Sequence, residues 1–203
     1  MVKPLQKPSC NLIILASSSP RRKYLCQQLK LHFKVIPPRV DEDTLTQDLK
    51  LKPKELALWL AEKKALEVKT KIKASPNYWI LAADTLIDFK GKIIGKPQNI
   101  REARLMLKEF AGKTHLIHTA LVLIKGDKKL TSIATTKVRF RHLTSADIDC
   151  YLETKEWQGV AGGYRIQERG AFLIASLSGS YTNVVGLPVE DLYVMLKESG
   201  FLY

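Results

Sequence analysis

LIILASSSPRR, residues 12–22, sets four apolar residues and an alanine ahead of three serines, a proline and two arginines. An apolar run of this length, closed by turn-forming residues, reads as a buried strand over 12–16. Proline has its φ preset for a helix and lacks the N–H that a helix start cannot use. Pro20 is therefore a natural first helical residue, with Ser19 as its N-cap, and the helix should run over 20–29. A helix N-terminus already carries partial positive charge, so Arg21 and Arg22 in the first turn oppose it. Either the two guanidinium groups stand in solvent, or the site receives an anion.

Working outward, 33–36 is a strand-type run closed by Pro37-Pro38, and an acidic loop, Asp41-Glu42-Asp43, follows. Pro53 opens a helix to about 69. Residues 79–83 form a third apolar run, and 86–89 and 92–94 flank Lys90-Gly91 as a hairpin. A helix over 99–110 ends at Gly112, and 116–124 and 132–140 make a second hairpin around Gly126-Asp127. Thr144 or Ser145 caps a helix through 154; 164–167 and 171–176 read as strands; Pro188 starts a last helix closed by Gly200. Strands alternating with helices, with hairpins among them, predict an α/β class with a mixed sheet. Residues 1–10 read as a loose tail and 11–203 as one domain.

The hydrophobic share of 45% and charged share of 26% are ordinary for a globular chain, but the net charge of +13 is not. That charge admits nucleic acid, an anionic membrane or a polyanionic small substrate. Eight lysines lie between Lys50 and Lys73, and a lysine-rich helix is ordinarily a solvated face. No aromatics interleave with them as in single-strand binders, so no specific nucleic acid is expected. No apolar run approaches the roughly 18 residues of a membrane span, and no signal-peptide pattern opens the chain. Cys10, Cys26 and Cys150 have neither zinc nor disulfide spacing, which fits a reducing compartment and a cytoplasmic protein.

Helix-start amides, three hydroxyls and two guanidinium groups in 17–22 suit phosphate oxygens, although the stretch is not a Walker loop. The alternative is a capped helix with solvated arginines. Asp84 ends the buried run 79–83, where a strand-end carboxylate in an α/β sheet faces the ligand crevice. There it would bind a metal or take a proton from water; otherwise it caps a turn with Thr85. Lys64 lies among Ala57, Leu60, Ala61 and Val68 on a helical wheel, so it either snorkels or points a cation into a cleft. Lys96, in Gly95-Lys96-Pro97, is a loop cation of similar use. Glu42 and its acidic neighbours are metal ligands or merely solvated. His115 and His118 read as structural. Gly162-Gly163-Tyr164 and Gly179-Ser180-Tyr181 are plain turns or close approaches to a flat ligand, with Gln167 placed to read a base edge.

Taken together, these residues resemble the Maf family of nucleotide pyrophosphatases. The likeness rests on Leu15-Ala16-Ser17-Ser18-Ser19-Pro20-Arg21-Arg22, on Ala83-Asp84-Thr85, and on Gly95-Lys96-Pro97 with Glu102-Ala103. It continues through Glu156-Trp157, Ala161-Gly162-Gly163-Tyr164-Arg165-Ile166-Gln167, and residues 179–188. The resemblance implies an inosine-triphosphatase-like fold with a mixed, elongated sheet and a cleft between two lobes. It implies an enzyme that splits nucleoside triphosphates into monophosphate and pyrophosphate with Mg²⁺ or Mn²⁺, working as a homodimer. The family's catalytic aspartate falls on Asp84, which with Glu42 would hold the metal. Its phosphate-binding residues fall on Ser17, Arg21 and Arg22, and its cleft lysines on Lys64 and Lys96. The Asp-Thr and Ile-Gln pairs resemble the dTTP/UTP-preferring branch, in which Arg21, Thr85 and Gln167 choose the base. Val160 and Glu168 depart from the pattern, standing where a basic residue and a glycine are usual, and Glu168 bears on base selectivity. On this reading Asp84→Asn stops turnover and leaves the melting temperature nearly unchanged. Two rival readings are a basic nucleic-acid-binding module and a nucleotide-binding regulator of cell division without turnover.

Overall fold

Ile13–Ala16 form β1, wholly buried, in a computed structural model that describes residues 12–41, 49–72 and 78–201. The expected tail at 1–10 and Glu42 lie outside the described residues. Helix α1 (Pro20–Gln28) follows, with Ser19 as N-cap, and leads to β2 (Phe33–Val35); α2 (Pro53–Lys71) leads to β3 (Trp79–Phe89). β1 pairs in parallel with both β2 and β3. A turn joins β3 to β4 (Lys92–Ile94), and α3 (Ile100–Phe110) precedes the long hairpin of β5 (Thr114–Lys125) and β6 (Lys128–Phe140). Then come α4 (Ser145–Glu153), β7 (Ile174–Ser178), α5 (Tyr181–Val185) and α6 (Val189–Glu198). The sheet order is β2-β1-β3-β5-β6-β7, with β4 on the end of β3, and every pairing from β3 onward is antiparallel. This is the mixed α/β sheet expected from the sequence.

The two-residue period of β3 decides what packs on each face. Trp79, Leu81 and Ala83 meet Cys26 of α1 and Leu192, Met195 and Leu196 of α6. Ile80 and Ala82 meet α2 through Ala57, Ala61, Ala65 and Val68. Alanines four residues apart let α2 lie close over the sheet. A further core gathers under α3 and α4, where Phe110 contacts the rings of Phe89, His115, Phe140 and Tyr164. The first two cores make one lobe, and this third core, on the far ends of β3, β5 and β6, makes the other.

Two expectations change. The segment at 164–167 is not a strand, and 171–173 belongs to a 3₁₀ turn, Arg169–Leu173, that precedes β7. Gly162 explains why the chain turns there: its φ is +69°, and a Cβ would stand 2.7 Å from Ile87 Cδ1, so the backbone folds directly onto β3. The expected pause between 83 and 86 is also absent. β3 runs through Asp84 and Thr85 because β5 pairs along it from Ile80 to Asp88.

His115 is structural, as read. It is buried, stacks on Phe110 at 4.5 Å and bonds Tyr164 Oη through Nε2 at 2.8 Å. Burial lowers its pKa to about 4. The unfolded chain therefore binds the proton first, and stability is fully present above about pH 6.5 and lost as pH falls toward 4. The loss is on the order of 3 kcal/mol. Urea unfolding at pH 7 and 4.5 should register it, and His115→Gln should remove more than half of the difference. An unaltered pH dependence in that variant would rule out His115 as its source.

Candidate active site

β1 and β3 run in parallel with Ala16 opposite Ala82, so the serine turn leaves β1 beside Asp84-Thr85, which stay within β3. That level is the carboxyl end of β1, and open α/β sheets place their crevice at such strand ends. Alternation turns Asp84 toward α2 and Thr85 toward α1 and α5. Lys64, on the alanine stripe of α2, reaches Asp84: Nζ stands 2.5 Å from Oδ1, with the lysine 8% and the aspartate 4% exposed. Lys64 therefore does not snorkel. Its cation enters the crevice and pairs with the carboxylate.

On the other face Arg22 is also buried, and its planar fork is spread over three elements. Nε donates to the Gly186 carbonyl at 2.8 Å, Nη1 to Ser17 Oγ at 3.2 Å and Nη2 to Thr85 Oγ1 at 2.9 Å. Thr119 faces Thr85 across the strand pair, with the two hydroxyls 3.0 Å apart. Thr119 gives its proton to the Asn183 carbonyl, so Thr85 must donate to Thr119. Toward any ligand Thr85 is left with acceptor capacity only. Asn183 continues the chain by donating to Ile117 O and to Thr136 Oγ1, which fixes α5 to the hairpin.

Between the lobes lies a cleft of about 480 Å³. One wall carries Ser18, Ser19, Arg21 and Arg22, the floor Lys64, Asp84 and Thr85, and the facing wall Val160, Tyr164, Arg165 and Gln167. Lys96 lines the mouth and is exposed. Thus Arg21, Arg22, Lys64, Asp84, Thr85, Lys96 and Gln167, far apart in sequence, share one cavity. Ser17 sits behind them: it is 3% exposed, and its hydroxyl accepts from Arg22 and from the Ser19 amide. Of the three serines, Ser18 and Ser19 line the cleft. Burial, and then the nearby Arg165 cation, hold the Arg21 guanidinium below its ordinary pKa, while Glu168 acts in the opposite direction. Burial pushes the Tyr164 phenol far up, so it stays protonated.

Sequence reasoning passed over Arg165, although it lies inside the motif with Gln167. It also had no means of finding the Gly186 carbonyl, which has no side-chain signature.

The chain matches the Maf family, described as "Maf-like protein", over residues 12–199. The dTTP/UTP pyrophosphatase of Pyrococcus furiosus is 44% identical over 187 residues, covering 91% of this chain and 94% of that protein. The protein of the same name from Carboxydothermus hydrogenoformans is 41% identical, covering 93% and 99%. That from Halalkalibacterium halodurans is 42% identical, covering 93% and 96%. The solved structure of the Staphylococcus aureus Ham1 protein overlaps 64% of this chain and 72% of its own at 13% identity, with a TM-score of 0.38.

Proposed function

The chain belongs to the Maf family, and from that premise we propose that it hydrolyses dTTP and UTP to the monophosphate and pyrophosphate. The observation that carries this reading is the gathering of Arg21, Arg22, Lys64 and Lys96 around Asp84 in one cleft. Cations and helix-start amides on three sides suit a triphosphate laid across them. Asp84 lies at the floor, where it can take the proton of a water aligned on the α-phosphorus. The water oxygen then bonds to phosphorus as the bond to the pyrophosphate oxygen breaks. Lys64 fixes the rotamer of that carboxylate and adds a positive charge beside the reacting phosphate. Arg21 and the Gln167 amide stand where a base edge can be read, and Thr85 contributes an acceptor.

Among the described residues no three His, Cys, Asp or Glu side chains cluster to hold a metal. Mg²⁺ needs no such cage: one or two carboxylates with substrate phosphates and water suffice. Asp84 meets that requirement, and Glu42 is the second carboxylate in this reading. When bound, Mg²⁺ or Mn²⁺ would neutralise charge on the phosphates. The same reading makes the protein a cytoplasmic homodimer, on the family likeness and on Cys26 and Cys150, which are free thiols.

Incubation of the pure protein with a panel of nucleoside triphosphates and Mg²⁺ or Mn²⁺ tests the proposal. Pyrophosphate should appear, and from dTTP and UTP at least about tenfold faster than from purine nucleotides, the scale that one or two edge hydrogen bonds supply. Release of orthophosphate would place the cleavage elsewhere. Saturable nucleotide binding without product would favour the regulatory role, and steeply salt-dependent DNA or RNA binding without product the nucleic-acid role.

A further inference from the structure

Arg165, on the second wall of the cleft, takes no part in the mechanism above. Its backbone is firmly set. The N–H donates to Tyr151 Oη at 3.2 Å, and Gly170 packs so near that a Cβ there would stand 2.4 Å from the Arg165 carbonyl oxygen. Its guanidinium is held loosely by comparison. Nη1 donates to Glu168 Oε2 and Nη2 to the Gln158 carbonyl, both at 3.3 Å, and the buried Nε has no hydrogen bond among the described residues. The Arg165 side chain is 32% exposed and that of Glu168 43%. Ion pairs at such exposure contribute little and exchange readily. Arg21 lines the same cleft, and its guanidinium is close enough to feel both the Arg165 cation and the Glu168 carboxylate.

We infer that Arg165 is a phosphate ligand of the substrate, and that Glu168 is its resident counter-ion, displaced when a polyphosphate enters. The inference rests on the pyrophosphatase reading for the identity of the substrate. Guanidinium groups bind phosphate through paired, charge-assisted hydrogen bonds, stronger than the long contact to Glu168. A polyanion between Arg21 and Arg165 turns their mutual repulsion into two attractions and ties the lobes together. Glu168 thereby raises the charge a ligand must carry to displace it, which favours triphosphate over monophosphate. The carboxylate that departs from the family's glycine gains a role on the phosphate side of the cleft.

The test is calorimetric titration with inorganic tripolyphosphate in metal-free buffer at low salt. Glu168→Gln should tighten binding about threefold to tenfold, and Arg165→Met should weaken it by at least about threefold. In the Arg165→Met background, Glu168→Gln should lose most of its effect. The inference is overturned if wild type takes up no tripolyphosphate, if Glu168→Gln fails to tighten it, or if the tightening persists without Arg165. Persistence would make Glu168 a distant field and not a counter-ion. A wild-type protein that releases no pyrophosphate from nucleotides would refute the function and leave this titration to be read on its own.

Discussion

Asp84→Asn should lower the rate of pyrophosphate release by about three orders of magnitude or more, and it should also lower the melting temperature. The first effect follows from removing the one carboxylate among the described residues that line the cleft floor beside Lys64. The second replaces the expectation of an unchanged melting point. Lys64 and Asp84 are buried together, and the isosteric amide keeps an acceptor for Nζ but loses the charge that strengthens this bond. A hydrogen bond to a charged group contributes about 1.5–3 kcal/mol. For a chain of this size the upper value is a fall of roughly 6–12 °C. Turnover within tenfold of wild type in Asp84→Asn would remove the carboxylate from the mechanism.

Arg22→Lys should be nearly as damaging as Arg22→Met. One ammonium cannot reach the Gly186 carbonyl, Ser17 and Thr85 together, as the planar fork does. Losing charged hydrogen bonds to buried partners costs about 3–4 kcal/mol, and α5 loses its tie to α1. Activity should fall by about a hundredfold or more, since the wall and floor of the cleft shift apart. Arg21→Lys is the contrast: Arg21 is half-buried at the cleft wall, and a lysine there keeps much of the attraction for phosphate. Equilibrium unfolding and turnover of the two lysine variants separate the roles. An Arg22→Lys protein within 1 kcal/mol of wild type and similar in turnover would show that charge alone suffices at that position.

The strand-turn-helix at 12–28 was legible because its signals are local: an apolar run, a capping serine and a helix-opening proline. Asp84 was legible as a polar residue closing such a run. Lys64 was legible only as an alternative. Its wheel position placed it on the buried stripe, but its partner lies 20 residues away on a strand whose register no local pattern reports. α5 left no periodic trace. It is five residues long and is held by the Ser180 cap and by Asn183, Thr119 and Thr136. At 164–167 the alternation of apolar and polar residues imitated a strand, and close packing of Gly162 and Gly170 overrode it.

The hydrogen bond from Arg22 to Gly186 spans 164 residues of sequence. A ribosome adding about 5–20 residues per second needs roughly ten to thirty seconds to make the acceptor after the donor has emerged. Throughout that interval Arg22 lacks the carbonyl that fixes its Nε, and the hairpin lacks the α5 segment that Thr119 and Thr136 anchor. The nascent chain can build much of its sheet but not its nucleotide cleft. Catalysis accordingly begins only with nearly finished chains, and a polypeptide truncated before residue 180 should be inert however well its strands have paired.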